Sequence, residues 1–342
     1  MFSLFPHIGR RLFTVNMKVL DTIGTHNGVF HCDEVLGCVM LKILHPNAKI
    51  VRTRDEDKLA KCDIVIDVGG IYDPEKLRFD HHQRGFSHTV STIIPGKKWT
   101  IKLSSAGLVY CHYGKDILQT LVDNLKERDI EKLFDRIYEN FIQEIDAIDN
   151  GITICEGEVK YNITTNLSSR VKYLNKRWNQ NDFDEEQAFC DAMDIVSKEF
   201  KDRIYYYVQD WLPARDIVLK AIQNRFNVHS SGDIVQLSQN CPWKGHFFDL
   251  EKELNLPSSI KFVLFDGGSG MWRVQAVSLD ESSFELRLPL LESWRGLREG
   301  ELLQVSGIEG IRFVHASGFI GGCTTVQGAL EMALRTIAEA KN

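Results

Sequence analysis

No Cys-x-x-Cys pair occurs in this chain, although it carries eight cysteines: Cys32, Cys38, Cys62, Cys111, Cys155, Cys190, Cys241 and Cys323. Their scatter offers neither a zinc ribbon nor a disulfide framework, so reduced thiols in an intracellular compartment are expected. No apolar run reaches the length needed to span a bilayer, which removes a membrane-crossing helix from consideration. Basic charge is not in excess either. The formal net charge of -6 argues against wholesale coating of nucleic acid and leaves room only for a local basic groove. Internal repeats and low-complexity tracts are also missing. Asn162-Ile-Thr164 and Asn166-Leu-Ser168 fit the glycosylation pattern, but that pattern needs secretion, and both read as chance.

Acidic side chains are missing from residues 1–16; the first is Asp21. With Arg10, Arg11 and several large apolar residues, this stretch has the texture of a short mitochondrial presequence. The chain has 342 residues, 43% hydrophobic and 26% charged, which suits an ordinary globular protein of two domains.

Lys18 to Thr25 reads as a first buried strand, and Asp33 to Leu44 as a helix apolar on nearly all sides, hence packed inside. Lys49 to Thr53 gives a short strand, and Asp55 to Lys61 is charged and helical. Asp63-Ile-Val-Ile-Asp67-Val-Gly-Gly70 is the clearest parallel strand, ending in an acid and two glycines. A helix is expected after it, with its N-terminus aimed at the same edge as a phosphate site. Strands alternating with helices argue for an α/β domain with a parallel sheet, whose ligands collect at the carboxyl ends of the strands. Ser104-Ser105 opens a helix through His112, with serine capping its first turn. Asp116 to Asn150 is mostly helical and delivers Asp146 and Asp149. Residues 184–231 form a helical connector interrupted at Pro213. From Gly232 the texture turns to short strands and glycine turns, with Asp266-Gly-Gly-Ser-Gly270 inside a hairpin and a last helix near Thr325 to Ala340. The expected division is therefore a domain over 17–183, the connector 184–231 and a smaller α+β domain over 232–342.

The chemistry centres on Phe79-Asp80-His81-His82-Gln83. Adjacent histidines behind an aspartate present imidazole and carboxylate from one turn, a donor mix suited to Mn, Zn and Fe. Upstream lie His26, His31, Asp33 and Asp67, and downstream Asp146 and Asp149. Gathered at one sheet edge, such groups fit a hydrolase with two cations about 3.5–4 Å apart, which clamp the attacking and leaving oxygens of a phosphoester. One carboxylate must bridge the pair, and Asp67, at the end of the central strand, is the candidate. Asp146 and Asp149 share a helical face, and spacing alone does not choose between them.

Asp80-His81-His82, with Asp67 and the His26 to Asp33 loop before it, resembles the DHH phosphoesterase superfamily, which includes RecJ-type nucleases, oligoribonucleases and manganese pyrophosphatases. Thr25-His-Asn-Gly-Val-Phe-His-Cys-Asp-Glu34, Phe79-Asp-His-His-Gln83, Ala147-Ile-Asp-Asn-Gly151, Trp272-Arg-Val-Gln-Ala-Val277, Ser293-Trp-Arg-Gly-Leu-Arg298 and Phe313-Val-His-Ala-Ser-Gly-Phe-Ile-Gly-Gly322 are more closely similar to the Myg (melanocyte proliferating gene) family of exonucleases. The resemblance implies a DHH-type metal phosphoesterase domain followed by a smaller substrate-binding domain. It implies a 3′-to-5′ exonuclease on single-stranded RNA in mitochondrion and nucleus. The cofactor is expected to be two divalent ions, with Mn preferred over Mg. By position, His26 and Asp33 would each hold a metal, Asp67 would bridge, and His81 would be a ligand. His82 would contact the scissile phosphate, and Asp149 would complete the second site better than Asp146. Asp67, Asp80 and His82 form the expected catalytic set. His31 stands where the superfamily places an aspartate, which softens that site and makes His31 a candidate ligand.

In the second domain, Arg273, Arg295, Arg298, His315, Gly321 and Gly322 are candidate substrate contacts: arginine forks, tryptophan faces and glycines that admit phosphate to the backbone. Core packing for Trp272, and a tight turn for the glycines, stay open beside that reading. Two rivals also remain. One is a phosphohydrolase acting on pyrophosphate or a short dinucleotide, and the other is a metal-free binding or scaffold protein. Assembly as a homo-oligomer is left open.

Overall fold

The computed structural model describes residues 19–257 and 259–341. The presequence-like stretch 1–16 lies outside them. The chain forms two compact units that divide between Ile204 and Tyr205.

The first unit opens with β1 (Thr22–Thr25), α1 (Cys32–Leu44), β2 (Lys49–Arg52), α2 (Glu56–Leu59) and β3 (Ile64–Ile66). β1 pairs in parallel with both β2 and β3. All three residues of β3 are buried, as a short apolar run in a covered parallel sheet requires. β4 (Tyr72–Asp73) and β5 (Arg78–Phe79) complete the order β2-β1-β3-β5-β4, with β5 parallel to β3 and β4 antiparallel at the edge.

The helix expected after Asp67 is therefore not there. Asp67, Gly69 and Gly70 all have positive φ, which turns the chain back within a few residues into a hairpin instead of a crossover. The helix starts brought to this edge belong to α1 and to α4, after the short α3 (Val90–Ile93). In α4 (Ser105–Leu121), the Ser105 hydroxyl donates to Asp67 Oδ1 at 3.1 Å.

α1 is buried from Cys32 to Leu41 and packs against α4. A Cβ at Gly37 would fall 2.7 Å from Ile66 Cδ1, so a larger residue there would have to displace the Ile66 side chain. α5 (Glu127–Ile137), a π-helical turn (Tyr138–Ile142), α6 (Gln143–Asp149), α7 (Leu167–Lys172) and α8 (Glu185–Tyr206) follow. Asn166 has a local task, since its side chain caps α7 through Ser169 N–H at 2.8 Å.

The second unit carries α9 (Leu212–Gln223), α10 (Arg225–Val228), β6 (Ile234–Gln236), α11 (Trp243–Glu253), β7 (Phe262–Asp266) and β8 (Trp272–Ala276). α12 (Glu299–Ser306), β9 (Ile311–Val314), β10 (Ile320–Cys323) and α13 (Val326–Glu339) complete it. Pro213 does not break the helix. α8, the π-helical turn Tyr207–Trp211 and α9 run on as one helical stretch, and the widened turn just before Pro213 accommodates its missing N–H. The sheet order is β6-β7-β8-β10-β9, with only β6 and β7 parallel. Alternation along β7 divides the core. Phe262 and Leu264 pack with Ala329 and Met332 of α13, while Val263 and Phe265 pack with Trp243 and Phe247 of α11. Both units thus mix strands and helices, and each sheet is mixed rather than purely parallel. Among the described residues no helix is long and apolar enough to cross a membrane.

Candidate metal centre

The loop after β1 carries His26 and ends at His31, the residue before α1. Its backbone is clamped by distant side chains. Gly28 N–H donates to Glu185 at 2.8 Å, and Arg52 donates to Gly28 O at 2.8 Å while pairing with Glu185 at 2.8 Å. The Asn175 amide closes on both polar groups of Phe30, accepting from its N–H at 2.9 Å and donating to its carbonyl at 2.8 Å.

Asp67 directly follows β3 with φ at +57°, a left-handed conformation that Asp and Asn tolerate better than other side chains. Its Oδ2 is 3.2 Å from His26 Nε2, and its Oδ1 is 3.3 Å from His81 Nε2 and 3.5 Å from His82 Nδ1. Asp67 is therefore shared by two groups whose ligand-type atoms lie within 4.8 Å of one another: His26, His31, Glu34 and Asp67, and Asp67, His81 and His82. A third such group joins His31, Asp33 and Asp149.

The electrostatics follow from crowding. Burial would lower the His26 ring, but Asp67 and Glu34 outweigh it and hold the ring up to about 10. His81 is likewise lowered by burial and held up to about 9 by Asp149 and Asp67. Burial would raise Asp67, yet the His26 and His81 rings keep it well below the usual carboxylate range. Asp33 has no such help. It is 1% exposed, neither carboxylate oxygen meets a hydrogen-bond donor, and its His81 contact is 3.8 Å away. Burial first, then the charges of Asp67, Asp149 and Glu34, push its carboxyl well up. A buried carboxyl with no donors and three acidic neighbours is ionised at neutral pH only with a cation beside it, and oxygen donors mixed with imidazole suit Mn, Zn or Fe. The residues present thus fit one or more divalent metals.

A cavity of about 360 Å³ opens beside this cluster, lined by His26, His31, His82, Arg54 and the Gly69-Gly70 backbone. The His82 side chain is 62% exposed, and Asp80 Oδ1 lies 2.7 Å from its Nδ1. Burial would raise Asp80, but His82 and the N–H groups of Gly70 and His82 hold it low, and Asp80 in turn raises His82. Asp80 also accepts from Gly70 N–H at 2.6 Å, so one carboxylate fixes both the glycine turn and the ring.

Asp146 and Asp149 part company here. Asp149 Oδ2 is 3.1 Å from His81 Nε2. Asp146 is fully buried and accepts from Ser104 N–H at 2.9 Å, Ser104 Oγ at 2.8 Å and Tyr138 Oη at 3.0 Å. This corrects the expected serine cap, because the Ser104 hydroxyl makes no cap bond and is spent on Asp146.

Two residues were missed in the sequence. Glu34 is fully buried, 3.0 Å from His26 Nε2, and accepts from His31 N–H at 2.8 Å. Its place three residues after His31, the capping-box spacing, was the available signal. Arg54 offered none, being one charge in a charged stretch.

The second-unit candidates are placed differently from one another. Arg273 on β8 lies over the Phe313 ring at 5.0 Å, Arg295 Nε donates to Leu290 O at 2.8 Å, and Arg298 and His315 are exposed. Gly321 and Gly322 do not form a turn. They are buried inside β10, where added Cβ atoms would fall 2.5 Å from Met332 Cε and 2.6 Å from the Phe313 ring. Trp294 is core, and Trp272 packs half-buried against it.

The MYG1_exonuc family model, described as an uncharacterised protein family (UPF0160), matches residues 22–337. The chain belongs to the MYG1 family. It is 53% identical over 329 residues to the MYG1 exonuclease of Rattus norvegicus, covering 95% of this chain and 86% of the relative. The MYG1 exonuclease of Homo sapiens is 53% identical over 322 residues, 93% of this chain and 86% of its own. A MYG1 protein of Saccharomyces cerevisiae is 40% identical over 336 residues, covering 95% and 98%. The MYG1 family match spans the metal-type cluster and nearly all of the second unit.

Proposed function

We propose that this chain is a divalent-metal phosphodiesterase of the DHH type, acting as a 3′-to-5′ exonuclease on single-stranded RNA. The observation that carries the reading is Asp33, a buried carboxylate without a donor amid Asp67, Asp149 and Glu34. Named MYG1 exonucleases among the relatives support the nuclease class.

Asp67 is shared between the His26–Glu34 side and the His81 side, and Asp33, Asp149 and His31 complete the donor set. Bound cations would supply charge to neutralise the phosphodiester and acidify the attacking water. The protein's own groups do the rest. Asp80 holds His82 by Nδ1, leaving the exposed Nε2 edge to donate to a phosphate oxygen, so Asp80 is a positioning residue. Arg54 and the Gly69-Gly70 turn line the same cavity and suit a further phosphate oxygen. Of the second-unit candidates, Arg298 and His315 are exposed and suit contact with a strand.

The test is 5′-labelled single-stranded RNA with Mn, with Mg and with chelator. Progressive loss from the 3′ end that needs metal supports the reading. Full activity in excess chelator overturns it, and hydrolysis of pyrophosphate alone moves the protein to the small-molecule class.

His31→Asp is expected to raise the ratio of Mg-supported to Mn-supported activity, because carboxylate replaces imidazole in a donor set that includes Asp33 and Asp149. An unchanged ratio places His31 outside the ligand set. We also propose that residues 1–16 direct mitochondrial import and that a form starting at Met17 is cytosolic or nuclear. Imaging of tagged long and short forms checks this, and a long form excluded from mitochondria contradicts it.

A further inference from the structure

We infer that Lys172, Tyr173, Lys176, Arg177 and Trp178 form a stacking platform for the substrate strand, built into the unit that carries the metal-type cluster. The inference rests on the single-strand nuclease reading and names where the strand lies. From Val159 to Asn181 the chain has Lys160, Arg170, Lys172, Lys176 and Arg177 and no acid, within a protein of net charge -6. Arg170 is paired with Glu199, but among the described residues the other four make no ion pair.

The aromatics in the same stretch are not used for packing. Trp178 is 97% exposed and Tyr173 is 74% exposed, whereas Trp99, Trp211, Trp243 and Trp294 are each at 6% or less. One tryptophan bared among unpaired cations has little structural use. Alternating cations and aromatic faces are what an unpaired polynucleotide needs, with the cations on its phosphates and the rings on its bases. Position fits as well. Asn175, inside this run, holds both backbone groups of Phe30, the residue before His31. Trp178 is three residues further on, at most about 10 Å of chain. A strand stacked here lies beside the loop that bears His26 and His31.

The experiment is anisotropy of a short 5′-labelled oligouridylate with the full chain, under chelation so that nothing is cut. Trp178→Ala should weaken binding roughly tenfold and Trp178→Phe by no more than about threefold, since a ring still stacks. Replacing Lys172, Lys176 and Arg177 together with alanine should flatten the slope of log affinity against log salt by about 2. Oligouridylate should quench wild-type tryptophan fluorescence, and Trp178→Phe should lose most of that quenching. Melting and Mn calorimetry confirm that each variant is folded. Variants that bind and quench like wild type overturn the platform and leave the nuclease reading standing. Wild type that neither binds the oligonucleotide under chelation nor shortens it when Mn is supplied overturns both. Binding to phosphatidylserine vesicles but not to oligouridylate makes the run a membrane contact and overturns the platform.

Discussion

Asp67→Asn is expected to lower turnover by more than about a thousandfold while leaving the protein folded. The two oxygens of Asp67 face different partners, His26 on one side and His81 with His82 on the other. Were cations held on both sides as proposed, loss of that shared negative charge would leave their repulsion uncompensated. A loss of several kcal/mol in transition-state stabilisation corresponds to about three decades in rate. Asparagine is the informative substitution because it keeps the shape and accepts the positive φ, and its oxygen can still take the Ser105 hydroxyl. Alanine would add backbone strain and confuse the result. The measurements are kcat on labelled RNA and on bis-p-nitrophenyl phosphate, with Mn calorimetry and a melting curve. Both substrates should be lost alike, because Asp67 acts at the reacting centre and not along the strand. Wild-type turnover in a folded Asp67→Asn protein would sink the shared-carboxylate reading.

Asp33 tests the same site from the side of stability. Burial and its acidic neighbours force the metal-free Asp33 carboxyl towards its neutral form, which costs stability relative to the unfolded chain; asparagine does not bear that cost, so metal-free Asp33→Asn should melt higher than metal-free wild type near neutral pH. The same change should weaken Mn binding. A gain in stability coupled to a loss of ligand is what a residue kept for a cation predicts.

Much of the first unit was legible because its signals are local. Ile64-Val-Ile66 is too apolar to face water on either side, and α1 is apolar on almost every face, so both had to be interior. The acids and histidines flanking them could then lie only at the sheet edge. What the sequence hid was decided across distance. The hairpin after Asp67 is made of two-residue strands, too short for alternation to show, and positive φ at Asp67 cannot be read from the letter. Ser104 looks like an ordinary cap until Asp146, 42 residues away, takes its hydroxyl. Gly321 and Gly322 look like loop glycines because glycine usually means a turn; here they are small because Met332 and Phe313 fill the space above the strand. Glu34 was obscured by its neighbour Asp33, the more familiar ligand position.

The two aspartates of α6 should separate cleanly. Asp146→Ala is expected to cost about 3 kcal/mol of stability, since it strands three buried donor groups and opens a void. Burial pushes the Asp146 carboxyl up to about 7 even against the Ser104 and Tyr138 donors, so a neutral side chain of the same shape is close to what the site already tolerates. Asp146→Asn should therefore cost only about 1 kcal/mol, with its amide oriented towards the Tyr138 hydroxyl. Gly107→Ala should mimic the larger loss, because its Cβ would fall 2.3 Å from Asp146 Oδ1. Asp149 has no such web; its side chain is 17% exposed and meets His81. Asp149→Ala should melt near wild type yet lose Mn affinity, with residual activity rescued in part by raising the metal concentration. Added metal should do little for Asp146→Ala once the unfolded fraction is counted, because that variant fails through α4 and not through the donor set. Urea unfolding and Mn titration on the same preparations distinguish the two. If Asp149→Ala unfolds early and Asp146→Ala loses metal at unchanged stability, the roles assigned to the pair are reversed.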